Sequence, residues 1–324
     1  MKTSSKSFLM TSLKRFVQSI ARRNLALALA FSAPLAISAA DTGKTFATPE
    51  AAVSALVAAA STEDSQALHA IFGPAAADLV NADRVQATNE HRAFASAFNQ
   101  TNRIVRESDS RCVLEVGNDF WPFPVPLVKQ DGQWFFDTEA GKDELLNRRI
   151  GKNELSTLQA VRAYVEAQRE YATKDRDGDE VLEFAQKFNS TSGMKDGLYS
   201  PADLDGEISP LGPLVAQAQD QGYGGKTRKE GDAPEPFHGY FFKILTRQGK
   251  SAPGGRYDYV INGNMIGGFA LVAWPAEYGE SGIMTFIVNQ QGRVYQQDLG
   301  SKTDKLAGAM KAYDPDVSWS LSPD

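Results

Sequence analysis

The 324-residue chain has one cysteine, three histidines and no apolar stretch long enough for a membrane-spanning helix. The lone Cys112 excludes an intramolecular disulfide and a cysteine-rich metal ribbon. His69, His91 and His238 have no His or Cys neighbour at metal-ligand spacing, which argues against a zinc site. The apolar run from Leu25 to Ile37 falls short of the ~18 residues that span a bilayer, and Pro34 interrupts it. Glycine (27) and proline (15) are too scarce for a collagen-like or low-complexity chain. A 23% charged and 10% aromatic content argues against wholesale disorder. Positive charge is in deficit: the formal net charge is −6, so no nucleic-acid partner is indicated.

The first forty residues contain no acidic side chain. They carry Lys2, Lys6, Lys14, Arg15, Arg22 and Arg23, then the apolar run, then Ser38, Ala39 and Ala40. A basic start, a short apolar stretch and a small-residue exit describe a secretory signal peptide cleaved after Ala40. The expectation is an exported protein, periplasmic or extracellular, with no stable membrane span after cleavage. Loss of six basic residues takes the formal charge from −6 to −12. Such a chain avoids anionic lipid and attracts cations. Cys112 alternates with Leu114 and Val116 and reads as a small core residue.

The length suggests about two domains. Thr48-Pro49 supplies a cap and a preset first helical residue, and Val53, Leu56, Val57 and Ala60 follow at helical spacing. Ser61 to Asp64 announces another helix through Leu68 and Ile71, and Phe94, Ala97 and Phe98 mark a third, short one. Period-two alternation begins at Cys112. A proline-punctuated strand follows from Phe120 to Val128, confined to an edge or a bulge by its three prolines. Asp131-Gly132 is a hairpin signal that returns the chain through Trp134-Phe135-Phe136. A helix is expected from Glu154 to about Ala172, and a second helical pattern at Val181, Leu182, Phe184 and Ala185. Residues 189–236 read as a long connector. Five strand-length runs fill the last third, at Tyr240–Leu245, Tyr257–Ile261, Phe269–Trp274, Ile283–Val288 and Arg293–Leu299.

The expected class is α+β: N-terminal helices with a curved antiparallel sheet, in a cystatin-like or nuclear-transport-factor-like layout, then a helical segment and a C-terminal antiparallel sheet packed on helix. The boundaries that follow are a signal peptide at 1–40, an α+β domain at 41–150, a helical segment with an acidic loop and connector at 151–236, and a β-rich domain at 237–324.

Several segments together resemble a bacterial family catalogued as domain of unknown function 2950. They are Arg148 to Glu154, Asp175 to Ala185, Ser209 to Leu214, Phe237 to Phe242, and the long stretch from Met265 through Pro275 to Leu299. The resemblance implies an exported envelope protein and supplies no activity, substrate or catalytic residue. The stretch from Ala273 to Tyr295 is also similar, more weakly, to the C-terminal sheets of pilin-like proteins.

Asp175-Arg176-Asp177-Gly178-Asp179-Glu180 carries the sharpest chemical signal. In a calcium loop, short carboxylates on alternate residues of a tight turn converge on a hard cation. Asp175, Asp177 and Asp179 fill the first, third and fifth positions and Glu183 the ninth. Glu180 stands where glycine is usual, and Gln186 replaces the bidentate glutamate. The competing reading is a solvated turn in which Asp179 caps the next helix. Among the histidines, His238 is the best candidate for chemistry, because it enters a strand beside a polar connector. The phosphate-loop-like Gly222 to Thr227 and the Ser192-x-x-Lys195 spelling lack the partners their chemistry requires.

The sequence therefore favours an exported, non-enzymatic envelope protein of binding or scaffolding type. Its partner would be another envelope protein or a small ligand, and a weak calcium-type loop would stabilise it. The alternatives are a periplasmic hydrolase with its site at the domain junction near His238, and a pilin-like assembly subunit.

Overall fold

A computed structural model describes residues 43–323 except 80, 82, 177, 202–205 and 224–234. Residues 1–40, expected from the sequence to be a signal peptide, lie outside the described residues. Contacts gather Asp41–Asp324 into one compact unit.

The unit opens with three helices, α1 (Pro49–Ser61), α2 (Ser65–Phe72) and α3 (Arg84–Gln100). Each is started by a side chain that takes up an orphan backbone N–H. Thr48 Oγ1 accepts from Ala51 N, Asp64 from Gln66 N and Ala67 N, and Asp83 from Gln86 N. Along α1, the buried Ala52, Val53, Leu56, Ala59 and Ala60 recur every three or four residues and form one face. That face packs on an antiparallel sheet in the order β1 (Asn102–Ser108), β2 (Arg111–Val116), β4 (Leu127–Gln130), β5 (Gln133–Phe136). The two-residue β3 (Trp121–Pro122) pairs with β2 off this path. Cys112, Leu114 and Val116 point inward at alternate positions of β2 and join Leu56, Leu127, Trp134 and Phe136 in the first core. At the β4–β5 hairpin, Asp131 and Gly132 both hold positive φ (50° and 81°), the twist a two-residue turn of this kind requires.

A 34-residue helix, α4 (Thr138–Tyr171), leads out of this sheet. The second sheet, wholly antiparallel, has the order β14 (Ser320–Leu321), β13 (Tyr295–Asp298), β12 (Met284–Asn289), β11 (Ala270–Pro275), β6 (Tyr240–Leu245). Two small ladders flank it: β7 (Arg247–Gln248) with β8 (Tyr257–Asp258), and β9 (Val260–Ile261) with β10 (Asn264–Met265). Every residue of β11 is buried, so both faces of the sheet are covered. The C-terminal half of α4 packs on one side, its Tyr164 ring edge-on to Phe269 and its hydroxyl donating to Ala270 O. A short helix, α6 (Thr303–Gly308), also packs on β11, with Trp274 Nε1 donating to Asp304 Oδ1.

The α+β class expected from the sequence is the class observed, and five local expectations are corrected, the first being the third helix, expected to be short, which runs 17 residues as α3. The long helix starts at Thr138, sixteen residues before Glu154, and runs unbroken across residue 150. Its first half buries little, mainly Thr138, Gly141, Ile150 and Asn153, so it carries no strong apolar period. It is held instead by the Asp137 cap and an i,i+4 pair, Glu144 with Arg148. The second helical pattern, at 181–187, is extended chain: Phe184 bridges Met265, and its ring lies edge-on to Phe269 at 4.8 Å. The Phe120–Val128 strand is broken into β3 and β4. The Tyr257–Ile261 strand is split between two ladders.

Candidate functional site

The connector after α4 contains α5 (Gly212–Asp220), whose end approaches the start of α3. Asn89 Nδ2 donates to Gln221 O across that approach. Here the structure brings together Asp83, Gln221, Tyr223 and His238 from three separate stretches of sequence.

His238 sits at the turn into β6 with φ +49°, a left-handed conformation rare for a residue with a side chain. Its Nε2 lies 3.0 Å from Gln221 Oε1, and its Nδ1 faces the Tyr223 hydroxyl at 3.5 Å. The Tyr223 hydroxyl donates to Asp83 Oδ2 at 2.6 Å. An amide oxygen only accepts, so with Gln221 in this orientation Nε2 carries the imidazole proton. The tyrosine's one proton goes to Asp83, which leaves Nδ1 at the edge of hydrogen-bond range. Burial pushes the His238 pKa below its usual value; the Asp83 carboxylate opposes the shift and the Lys152 ammonium adds to it. Tyr223 is pushed well above the ordinary phenol range by burial and by its bond to Asp83.

A second string of polar groups runs beside this one. Gln86 and Asn153, 2% and 1% exposed, are joined by Gln86 Nε2 donating to Asn153 Oδ1 at 2.8 Å. Asn81 Nδ2 donates to Gln86 Oε1, and Asn153 Nδ2 donates to Ser281 O in the loop between β11 and β12. One residue on, Glu154 Oε1 accepts from both Ile283 N and Met284 N at 3.0 Å. Gly239 lies against this string with φ +73°, and a Cβ there would stand 2.7 Å from Asn153 Nδ2 and 2.9 Å from Ser281 Cβ. Only glycine meets both demands, of backbone and of space. The two strings form a polar seam between α3, α4, the end of α5, the start of β6 and the β11–β12 loop. In it each polar side chain makes at least one hydrogen bond to another group of the chain, while the His238 Nδ1 lone pair receives no proton from the Tyr223 hydroxyl it faces. Among the described residues, the side chains within hydrogen-bond reach of His238 are those of Gln221 and Tyr223.

The acidic loop begins four residues after α4 ends. Asp177 lies outside the described residues. Asp175 Oδ1 accepts from Gly178 N and its Oδ2 from Glu180 N. Asp179 Oδ1 accepts from Val181 N, and its Oδ2 from Asn264 Nδ2. Glu183 Oε2 accepts from Met265 N at 2.7 Å. Glu180, at the usual glycine position, adopts the left-handed conformation all the same, with φ +67° after Gly178 at +82°. Gly178 and Glu180, the fourth and sixth positions of the loop, are thus both left-handed, while Glu183 is engaged by the β9–β10 ladder. Asp179 caps no helix, because none follows. Among the described residues, no three His, Cys, Asp or Glu side chains are gathered as a ligand set.

His238 and the acidic loop were visible as residue types. Asp83 carried a weaker signal, since Asp83-x-x-Gln86 has the spelling of a capping box. That spelling predicts the cap but not its bond to Tyr223. Asn153 and Tyr223 gave none, because the partners that fix them, Gln86 and Ser281 for one and Asp83 for the other, lie more than sixty residues away in sequence.

A family model described as "Protein of unknown function (DUF2950)" matches residues 43–321. The search of curated proteins and the search of solved structures each return no match.

Proposed function

We propose that this chain, which belongs to the DUF2950 family, is an exported envelope protein of binding or scaffolding type that catalyses no reaction. The observation that supports this reading is the mutual satisfaction of the seam. His238, Tyr223, Asp83, Gln221, Gln86 and Asn153 bond to one another or to backbone, as in a structural joint. A catalytic cluster aims a lone pair or a proton at an open position for a substrate; the His238 lone pair without a donor, at Nδ1, faces the Tyr223 hydroxyl instead. Export is supported by the basic, apolar and small-residue order of the first forty residues. The test is turnover: the purified protein, offered ester, phosphate, peptide and glycoside substrates, is expected to consume none. Hydrolysis that His238→Ala abolishes while the fold survives overturns the reading in favour of the hydrolase.

A calcium role for the acidic loop is a second reading, favoured by one observation: the left-handed Glu180 that lets Asp175 accept from Gly178 and Glu180. With Glu183 already engaged by Met265, affinity is expected to be weak. If the reading holds, millimolar calcium raises the melting temperature in a concentration-dependent way and Asp175→Asn removes the effect. Identical melts in calcium and in chelator dismiss it.

A further inference from the structure

The second sheet ends at β6, which pairs with β11 on one side and, among the described residues, with no strand along the other. Its backbone phase follows from its first residue. Tyr240 N donates to Phe237 O and Tyr240 O accepts from Phe237 N, so both groups point away from β11. Pro275, opposite Tyr240 in the ladder, has no N–H to offer. The pairing then runs in unbroken register to Leu245. Phe241, Lys243 and Leu245 therefore bond β11, while the backbone groups of Phe242, Ile244 and Thr246 face outward. Thr246 O accepts from Tyr259 N, which closes the far end of the edge as Phe237 closes the near end. Between them, among the described residues, no group of the chain bonds the N–H or C=O of Phe242 and Ile244.

Proteins guard an edge strand with proline, a bulge, a charge or a cover. β6 has neither proline nor bulge, and Phe242 and Ile244 are only half-buried. Its one charged side chain, Lys243, is drawn off the edge: the ammonium donates to Gly308 O and Met310 O at the end of α6. The exposed Lys311 brings a second positive charge close to it. Lys243 thus lies on the α6 face of the sheet, and Phe242 and Ile244 lie on the other.

We propose that the outer edge of β6 takes an extended segment of a partner protein as a further strand, with apolar side chains beside Phe242 and Ile244 and a carboxylate opposite Lys243. The outward backbone groups supply the attraction, and the alternate side chains select the partner. A residue directly across from Lys243 stands on the α6 face beside two ammoniums, where an acidic side chain is favoured. The same charge disfavours a second copy, because antiparallel self-pairing about Lys243 sets Lys243 against itself. The edge between Phe237 and Tyr259 admits about five residues at about 3.3 Å each. Such capture is one form of the binding role proposed above. It is read by a different assay from turnover at His238, so either reading can fail alone.

The probe is a phage-displayed library of random peptides of about ten residues, panned on the purified protein. Selected peptides are expected to alternate apolar residues around one Asp or Glu. Ile244→Pro deletes an outward donor and no ladder bond, and is expected to bind a synthetic copy about tenfold more weakly in fluorescence anisotropy. Lys311→Glu, a surface change that spares the fold, is expected to weaken the same peptide about threefold and to prefer its Lys-substituted version. In wild type, hydrogen exchange at the Phe242 and Ile244 amides is expected to be fast alone and slow with peptide. A library with no peptide that needs Ile244 and responds to Lys311→Glu overturns the proposal. So does protection of both amides before peptide is added; if that protection grows with protein concentration, the edge belongs to a second copy.

Discussion

His238 is a titratable group held in a conformation that disfavours its charge. Its folded pKa lies below the unfolded value near 6.5, so the unfolded chain binds more protons as the pH falls. Stability on its account is full above about pH 7.5 and declines as the pH passes down through the unfolded pKa toward the folded one. Melting temperatures taken between pH 7.5 and 5.5 are expected to fall less steeply in His238→Gln than in wild type; equal slopes would assign the titration elsewhere. Asn153 is the other critical residue. Asn153→Ala leaves Gln86 Nε2 and Ser281 O without their partner, at about 1–3 kcal/mol for each buried group. Chemical denaturation would register that loss as a lower midpoint with an unchanged slope. Gly239→Ala adds a methyl group inside contact distance of Asn153 at positive φ, and the same measurement is expected to find it destabilised by about 1–3 kcal/mol.

At the scale of elements, most of the helices and strands were legible because each follows from near neighbours. Thr48-Pro49 starts α1, Asp131-Gly132 turns β4 into β5, and the alternation from Cys112 to Val116 buries one face of β2. Failures occurred where distant groups decide. Residues 181–187 have a helical pattern, yet Gln168, fully buried on α4, donates to Ala185 O and accepts from Ala185 N at 2.8 Å each. A glutamine that takes both backbone groups of another segment removes them from any helix. Gln168→Leu keeps most of the side-chain volume but leaves Ala185 unpaired, so limited proteolysis is expected to cut the 172–211 segment much faster than in wild type. Protection equal to wild type would show that Phe184 alone docks the segment. The early start of α4 was hidden for a different reason: its first half is held by a cap and charge pairs, which leave no apolar stripe to read.

At the scale of the molecule, the described chain has two hydrophobic cores, one drawn from residues between Phe46 and Phe136 and one from residues between Leu158 and Tyr313. α4 crosses from one to the other, and the polar seam lies beside its middle, where Asn153 and Glu154 reach the β11–β12 loop. The division into an N-terminal and a C-terminal core was legible in sequence; the seam was not, since it consists of pairings between residues such as Asp83 and Tyr223 that share no local pattern. The seam is the central claim, because a joint and a catalytic site respond oppositely to truncation. Removing a structural hydrogen bond lowers stability, whereas removing a strained catalytic group tends to leave it unchanged or raise it. The direct test is the melting temperature of Tyr223→Phe, which deletes one hydroxyl and leaves Asp83 Oδ2 without its 2.6 Å donor. A structural joint requires a clear fall relative to wild type at neutral pH; a melting temperature equal to or above wild type would contradict it.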